Sequence, residues 1–465
     1  MESTSTPSRA AGHLWLAAWC RKQRMLQRLY ALLSLRGLRC RIRARQMKTL
    51  LARHAFVRTE AWSRTVAAVE AGAVVPHGFP FGVNIVGYLR GEFGLAESAR
   101  MYARALIDYG TTVALHTLDL GVPHSMADTT FDGKFCAELP EHVVIIFINP
   151  DYFDAAVREI GDAKLQGKYV IACWFWELER LPDTWLPVLS RVDEILAASA
   201  FIADAIGGAS SLPVLQAPVP LPVMPRADIG RDAFGMTSGA FVFLFTFDFN
   251  SWVERKNPQA VLDAFRQAFP LGTEPVQLII KTSNGHHHPD ALRALSEKVS
   301  SDPRVIVRND VITREQLTAL QASCDAYVSL HRAEGFGMGM AECMQLGKPV
   351  IATSWSGNME FMDADSAALV RFTLVPVKPG QYPFGEGQRW AEPDVTHAAS
   401  LMADLAGDPE AASQLGERGR QHVQRVLSPE RVARQIMERV SVIMSDANAL
   451  ATSNQTHGNA QRGNQ

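Results

Sequence analysis

The sequence lacks several features that would assign a function class at once. It contains no run of about 18 apolar residues, so no transmembrane helix is predicted. Only six cysteines occur in 465 residues, none in a CxxC pair or at metal-ligand spacing, which argues against a disulfide scaffold or a zinc site. The apolar stretch 14–20 is followed, not preceded, by basic residues, unlike a secretory signal. We therefore expect a cytoplasmic protein in a reducing setting.

Positive charge is concentrated at the start of the chain. Residues 1–70 contain 14 Lys and Arg against 3 Asp and Glu, whereas the remainder is acidic. Residues 13–57 combine arginines with apolar residues at three- and four-residue spacings, which predicts a basic helical extension over 1–72. Such a helix would be attracted to an anionic inner membrane face; the alternatives are packing on this protein or a partner, or little role. No nucleic-acid partner is expected, because the acidic body offers no second basic surface.

From about residue 82 the sequence alternates between short β-branched runs and helical runs. A proline-rich stretch at 211–230 interrupts the series, which then restarts. This predicts an α/β protein with two Rossmann-like, doubly wound domains facing a cleft. We expect an N-terminal acceptor domain over 73–222 and a C-terminal nucleotide-sugar domain over 223–428. A helix at 429–446 would cross back to the first domain, and a disordered tail would occupy 447–465.

The stretch EGFGMGMAE, residues 334–342, lies where a strand passes into a helix. Its three glycines allow backbone N–H groups to approach a ligand closely, at the positive end of the helix dipole. This pattern predicts a site for a phosphate group. Glu334 and Glu342 would repel phosphate but are well suited to accept hydrogen bonds from sugar hydroxyls. A phosphate flanked by two sugars indicates a nucleotide-sugar ligand.

The same stretch, continued by CMQLGKPVIATSWSGNMEFM, resembles the retaining glycosyltransferases of family four, which have the GT-B fold. Weaker similarity extends over about 82–445. The resemblance implies that Glu334 binds donor-sugar hydroxyls, that Glu342 binds the ribose and that Lys256 neutralises the diphosphate. The implied backbone N–H donors to the diphosphate are Gly335, Phe336, Gly337 and Met338. No metal and no cofactor beyond the nucleotide-sugar substrate is then needed, and the triplet His286–His288 is interpreted as a surface loop.

Two positions depart from the family pattern. The family usually carries an arginine six residues before its lysine, where this chain has Asn250, so Arg255 is a candidate for the second cation. The family often has a histidine in the first domain near the donor sugar, whereas the corresponding strand end here reads FINPD. Asn149 and Asp151 would contact donor or acceptor; the alternative is a helix N-cap or turn pair.

Three further groups are candidates on weaker patterns. Gly91 and Gly94 open a helix after the first predicted strand and would approach phosphate or acceptor. Gly357 and Asn358 match the glycine-rich loop with which the family holds donor or acceptor, whereas the nearby Glu360 would be structural. The tryptophans of WFWELERLPDTW would either stack on an acceptor sugar or belong to the core; they are Trp174, Trp176 and Trp185.

These observations predict an enzyme that transfers a hexose from a nucleotide-sugar to a hydroxyl of a glycan or lipid-linked acceptor, with retention and without metal. The resemblance favours mannose as the sugar, but the sequence does not decide the nucleotide. One alternative is a catalytically silent nucleotide-sugar-binding or scaffold protein of the same fold. The other is a sugar phosphorylase.

Overall fold

The computed structural model describes residues 81–224 and 229–462, with the side chains of the final helix described as far as residue 447. The described part of residues 57–452 forms one compact unit. The predicted basic extension at 1–72, and with it the predicted membrane contact through 13–57, lies outside the described residues. Among the helices that are described, none has both the length and the apolarity required to cross a bilayer.

The first domain is built on a parallel six-stranded sheet in the order β2-β1-β3-β4-β5-β6. Four of its strands are buried along their whole length, as expected for a parallel sheet covered by helices on both faces. Its strands are β1 Val83–Gly87, β2 Val113–Thr117, β3 Val143–Phe147, β4 Tyr169–Cys173, β5 Glu194–Ala197 and β6 Val214–Gln216. Its helices are α1 Gly94–Asp108, α2 Pro150–Ile160, α3 Asp162–Leu165 and α4 Ala200–Ala209.

The second domain contains another parallel six-stranded sheet, in the order β12-β11-β10-β7-β8-β9. This is the 3-2-1-4-5-6 order of a Rossmann fold when its strands are counted from β7. The strands are β7 Phe241–Asp248, β8 Val276–Ser283, β9 Val305–Asn309, β10 Ala326–Ser329, β11 Val350–Thr353 and β12 Ala368–Val370. The helices between them are α5 Val253–Lys256, α6 Pro258–Ala268, α7 Pro289–Val299, α8 Arg314–Ser323 and α9 Met338–Gln345.

Aromatic residues dominate the core of the second domain. Alternate residues of β7 and the residue after it, Phe243, Phe245, Phe247 and Phe249, are all buried. The first of them packs against Phe265 and Phe269 near the end of α6, at centroid distances of 6.3 and 5.8 Å. Large rings interlocked in this way hold β7 rigidly, and the short helix α5 that follows β7 carries two of the predicted site residues, Arg255 and Lys256.

An antiparallel hairpin that the sequence did not predict follows the second sheet. It consists of β13 Phe372–Pro376 and β14 Arg389–Pro393. Its tip contacts the first domain, where the side chain of Gln388 accepts a hydrogen bond from the Arg180 N–H at 2.9 Å and Arg389 pairs with Glu179 at 3.1 Å. The hairpin therefore bridges the two domains.

Three helices complete the chain: α10 Val395–Gly407, α11 Pro409–Val426 and α12 Pro429–Arg462. The last of these contacts the first domain through Arg439, which pairs with Glu194 at 2.8 Å. It also extends well past residue 446, so the predicted disordered tail at 447–465 is corrected to helix as far as Arg462. Residues 447–462 contain no proline, and adding turns to an existing helix is far easier than starting a new one.

Candidate active site

The predicted phosphate site is formed where β10 passes into α9. Gly337 takes a left-handed conformation, with φ of 100°, and directly precedes the first residue of the helix. No side chain in the described part of the chain caps this end, so the first backbone N–H groups are available to a ligand. A side chain at Gly339 would lie 2.9 Å from the Tyr327 hydroxyl, so glycine allows this turn to pack closely. Gly335, Phe336, Gly337 and Met338 all line the cleft between the domains, as predicted.

Glu334 lies directly against Lys256 and Arg255, which are 78 and 79 residues earlier in the sequence. Lys256 Nζ donates to Glu334 Oε1 at 2.5 Å, and Arg255 Nη1 lies 3.0 Å from Oε2. The strands β7 and β10 are neighbours in the sheet, so the loops at their carboxyl ends meet. The tertiary structure thus places the family's predicted lysine and the candidate second cation on the same carboxylate.

Burial and charge act in opposite directions in this cluster. Burial by itself would raise the pKa of Glu334, but Lys256 and Arg255 outweigh it and hold this pKa at about 2. Burial lowers the pKa of Lys256 below its ordinary value, and Glu334 partly offsets that effect. The glutamate is therefore ionised near neutral pH and acts as the counter-ion of two cations that a diphosphate would also attract.

Glu342 lies in the first turns of α9 with its side chain almost fully buried. Gln321 Nε2 donates to its Oε2 at 2.7 Å, and Arg314 Nη2 lies 2.6 Å from its Oε1. Both partners come from α8. Glu334 and Glu342 line the same cleft on either side of the glycine-rich turn, which is the arrangement that two sugars flanking a phosphate would need.

The first domain supplies the opposite wall of a cleft of about 710 Å³. Gly94, Asn149 and Asp151 line it, but the last two side chains have other partners as well. Asn149 Nδ2 donates to the Phe175 carbonyl and its Oδ1 accepts from the Phe175 N–H, so the side chain does not cap α2. Asp151 accepts from Trp185 Nε1 at 2.9 Å. Each carboxylate or amide still has lone pairs for a ligand in the cleft.

Three predicted residues do not line the cleft. Gly91 is buried in its own loop, and its carbonyl accepts from Arg100 Nη1 at 2.6 Å. Asn358 is fully buried and holds the loop from behind, through hydrogen bonds with His331 and the Thr353 carbonyl. The N–H of Gly357 donates to the Glu334 carbonyl at 2.8 Å. Gly357 and Asn358 therefore support the Glu334 loop in this structure, and direct contact of either residue with a ligand stays a prediction.

Replacing Gly357 with Ala is expected to lower the free energy of unfolding by about 2 kcal/mol. A Cβ at this position would lie 2.1 Å from the Gly335 carbonyl oxygen, and backbone atoms of the Glu334 loop cannot move away independently. Urea denaturation measures the change. Gly207→Ala in α4 is the matched control, since its Cβ would meet no atom within 4 Å and should leave stability unchanged or slightly raised. Equal stability of the Gly357 variant and the wild type would refute the close-packing argument.

Some of the other residues singled out in the sequence line the cleft, and others do not. Trp174 is a core residue, whereas Trp176 and Trp185 are buried but reach the lining. Glu360 accepts from the Ala200 N–H at the start of α4, a structural contact between the domains. In the described part of the chain, His286–His288 and other His, Cys, Asp or Glu side chains form no group of three that could hold a metal. Asn250, at the position of the family's arginine, bonds instead to His288 and to the Pro123 carbonyl.

Comparison with known proteins finds a family match in the second domain. Residues 240–377, which contain Arg255, Lys256, Glu334 and Glu342, match the family model described as Glycosyl transferases group 1. The sequence prediction of a glycosyltransferase is confirmed at this level. Its subfamily, its stereochemical course and the roles of its two glutamates stay predictions.

Several solved structures share the architecture of this protein. Sucrose-phosphate synthase from Thermosynechococcus elongatus has a TM-score of 0.57 at 15% identity, covering 78% of this chain and all of that one. Anabaena Alr3699/HepE in complex with UDP has a TM-score of 0.53 at 16% identity, with the same coverage. These likenesses confirm the predicted GT-B fold.

A curated relative matches part of the sequence. Trehalose synthase from Rubrobacter xylanophilus is 24% identical over 180 residues, which span 38% of this chain and 37% of that protein. The chain thus matches little more than a third of that relative's length.

Several residues that line the cleft were missed in the sequence. Arg314 and Gln321 hold Glu342, and their only sequence signal is the start of a helix about 20 residues before the motif. The aromatic residues Trp252, Tyr382 and Phe384 also line the cleft. Tyr382 and Phe384 lie in the hairpin loop, in a Gly- and Pro-rich stretch that an exposed turn would equally explain.

Proposed function

We propose that this protein transfers a hexose from a nucleotide-sugar to a hydroxyl group of a glycan or lipid-linked acceptor, with retention and without a metal ion. One observation carries the proposal: Glu334, Lys256 and Arg255 converge beside the uncapped start of α9, within the residues that match the group 1 glycosyltransferase model. The two cations supply the positive charge that a leaving diphosphate requires. The helix start supplies backbone donors for the same group.

The proposed reaction assigns a step to each part of the cleft. The bond from the sugar C1 to the diphosphate oxygen breaks, and its electron pair stays on the diphosphate, beside Lys256 and Arg255. The acceptor oxygen forms the new bond to C1 from the same face, and its proton passes to a diphosphate oxygen. Glu334 would accept hydrogen bonds from donor-sugar hydroxyls and hold C1 in position. A mannose donor is favoured by resemblance, whereas UDP is bound by a fold relative of only 16% identity.

Release of nucleoside diphosphate is the direct test. Purified protein would be screened by thermal shift with UDP-, GDP- and ADP-hexoses, where a donor at 100 times its Kd should stabilise by about 2.7 kcal/mol. The stabilising donor would then be incubated with a panel of glycoside and lipid-linked acceptors. Transfer of sugar with release of nucleoside diphosphate supports the proposal, and NMR of the product reports the anomeric configuration. Tight donor binding without release under any condition would favour a silent binding protein, and phosphate-dependent formation of sugar phosphate would favour a phosphorylase.

The proposed role of Glu342 predicts a loss of ribose recognition. Replacing Glu342 with Gln should weaken binding of the nucleoside diphosphate about tenfold, because a hydrogen bond to a charged group is worth about 1.5–3 kcal/mol. The affinity for the 2′-deoxynucleoside diphosphate should fall much less. In isothermal titration the variant should therefore discriminate poorly between the ribose and the deoxyribose form. Glu315→Gln, an exposed change in α8, is the control. Undiminished preference for the ribose form in the Glu342 variant would refute this role.

A further inference from the structure

Two large aromatic side chains remain exposed at the mouth of the cleft. Trp252 is 41% exposed and Phe384 is 47% exposed, and both belong to the cleft lining. Both also have left-handed backbones, with φ of 63° and 54°. Such a conformation is unfavourable for a bulky residue and tends to persist at ligand-binding positions. Exposure, strain and position therefore coincide at two residues from different elements.

The two exposed rings form part of a larger aromatic surface. The ring centroid of Tyr382 lies 6.0 Å from that of Trp252 and 5.8 Å from that of Trp176. Phe384 lies 6.4 Å from Trp176. The hydroxyl of Tyr382 donates to Glu177 Oε2 at 2.6 Å, which fixes the hairpin loop against the first domain. The aromatic platform, defined as Trp176, Trp252, Tyr382 and Phe384, is thus held from both domains.

The platform adjoins the proposed donor site. The Trp252 carbonyl accepts a hydrogen bond from the Lys256 N–H at 3.2 Å. Trp252 is therefore one helical turn before the lysine that would hold the diphosphate. The guanidinium of Arg255 lies 6.0 Å from the Tyr382 ring centroid. A group bound on the platform would therefore lie next to the donor sugar that is transferred.

Polar groups accompany the rings. Asp151 and Glu177 also line the cleft. Asp151 accepts a hydrogen bond from Trp185, the neighbour of the platform, and Glu177 accepts one from Tyr382 and lies 3.9 Å from Arg255 Nη2. A pyranose ring presents an apolar C–H face and an edge of hydroxyl groups, so it matches rings interleaved with carboxylates. An alkyl chain would match a surface without such carboxylates.

Resting on the proposed function, we propose that Trp252 and Phe384 form the acceptor subsite and stack on a pyranose ring of a carbohydrate acceptor. The platform would orient the acceptor hydroxyl toward the donor sugar. The non-aromatic changes Trp252→Leu and Phe384→Leu should then each weaken binding of the acceptor sugar about tenfold. The aromatic changes Trp252→Phe and Phe384→Tyr should retain most of it, which a merely structural role of the apolar bulk would not predict.

Saturation-transfer NMR on the full chain, saturated with nucleoside diphosphate, tests the subsite. The probes are methyl glycosides of glucose, galactose, mannose and N-acetylglucosamine, with sorbitol as a polyol without a ring face. Tyr152→Leu is the matched control, because Tyr152 is also 41% exposed but does not line the cleft. The expected result is binding of at least one methyl glycoside that is about tenfold weaker in each of the two leucine variants and unchanged in the control.

The outcomes separate this subsite from the proposed reaction. No glycoside binding to the wild type, equal binding by all variants, or binding of long-chain alkyl glycosides only would each overturn the acceptor subsite. Release of nucleoside diphosphate from the donor is measured on the same wild-type preparation. If release occurs and the subsite test fails, only the inference falls; if release never occurs with any acceptor, the proposed function falls.

Discussion

The Glu334→Gln variant is expected to turn over nucleotide-sugar about a hundredfold more slowly while binding bare nucleoside diphosphate as well as, or better than, the wild type. Both oxygens of Glu334 are paired with cations, Lys256 at 2.5 Å and Arg255 at 3.0 Å. In the ligand-free protein the carboxylate competes with any diphosphate for these two charges. Removing its charge frees the cations for phosphate but replaces one of the two oxygens that would accept hydrogen bonds from donor-sugar hydroxyls with an NH2 donor, and weakens the other as an acceptor.

A fall in turnover without a fall in affinity for nucleoside diphosphate distinguishes a role in the reaction from a role in folding. A residue needed only for folding would lower both quantities together. Initial rates of nucleoside diphosphate release and isothermal titration with the diphosphate measure the two effects. Glu254→Gln is the matched control. It is the same chemical change, at a residue beside Arg255 and Lys256 in α5 that is exposed and does not line the cleft. A parallel loss of affinity and rate, or an equal defect in the control, would contradict the role of Glu334.

The free protein should also become less stable in the Glu334→Gln variant, by about 3 kcal/mol, because two buried cations lose their counter-ion. Saturating nucleoside diphosphate should restore most of this loss, since the ligand supplies new negative charge. The same titrations, followed by urea denaturation with and without ligand, measure it. A loss of stability that ligand does not restore would place the diphosphate away from these cations.

The Lys256→Met variant is expected to bind nucleoside diphosphate about fiftyfold more weakly and the bare nucleoside unchanged. Lys256 is only 17% exposed, so its charge acts in a poorly solvated site where one phosphate contact is strong. Methionine keeps a similar volume and removes the charge. Titration with nucleoside, monophosphate and diphosphate separates the contribution of the terminal phosphate.

Charge rather than shape should decide the behaviour of Lys256. Lys256→Arg should recover part of the affinity, whereas Lys378→Met, an exposed change in the hairpin, should have no effect. Weakening of nucleoside binding to the same extent as diphosphate binding would show that the lysine supports the fold of the site and not the phosphate.

Local patterns determined a large part of this protein. The glycine-rich turn before α9 was predictable because a strand, closely spaced glycines and an apolar helix are encoded within about 20 consecutive residues. The same holds for the two wound domains, whose buried parallel strands read as continuous apolar runs. Glu334 and Glu342 were predicted from the chemistry of the motif and Lys256 from the resemblance. The place where the three side chains lie close together was predictable once β7 and β10 were assigned to one sheet.

Other features depended on contacts that no local pattern encodes. Gly357 and Asn358 occur in a loop that looks like a ligand site, yet close packing places them behind the Glu334 loop, where one has no room for a Cβ and the other is fully buried. The hairpin β13–β14 contacts the first domain through residues about 200 positions earlier in the chain, and so brings Tyr382 and Phe384 over the cleft. The sequence by itself determined which residues are candidates to bind a diphosphate and its sugars. The tertiary structure decided which of them face the cleft, because exposure depends on what distant segments pack against each residue, and that is set by the whole fold.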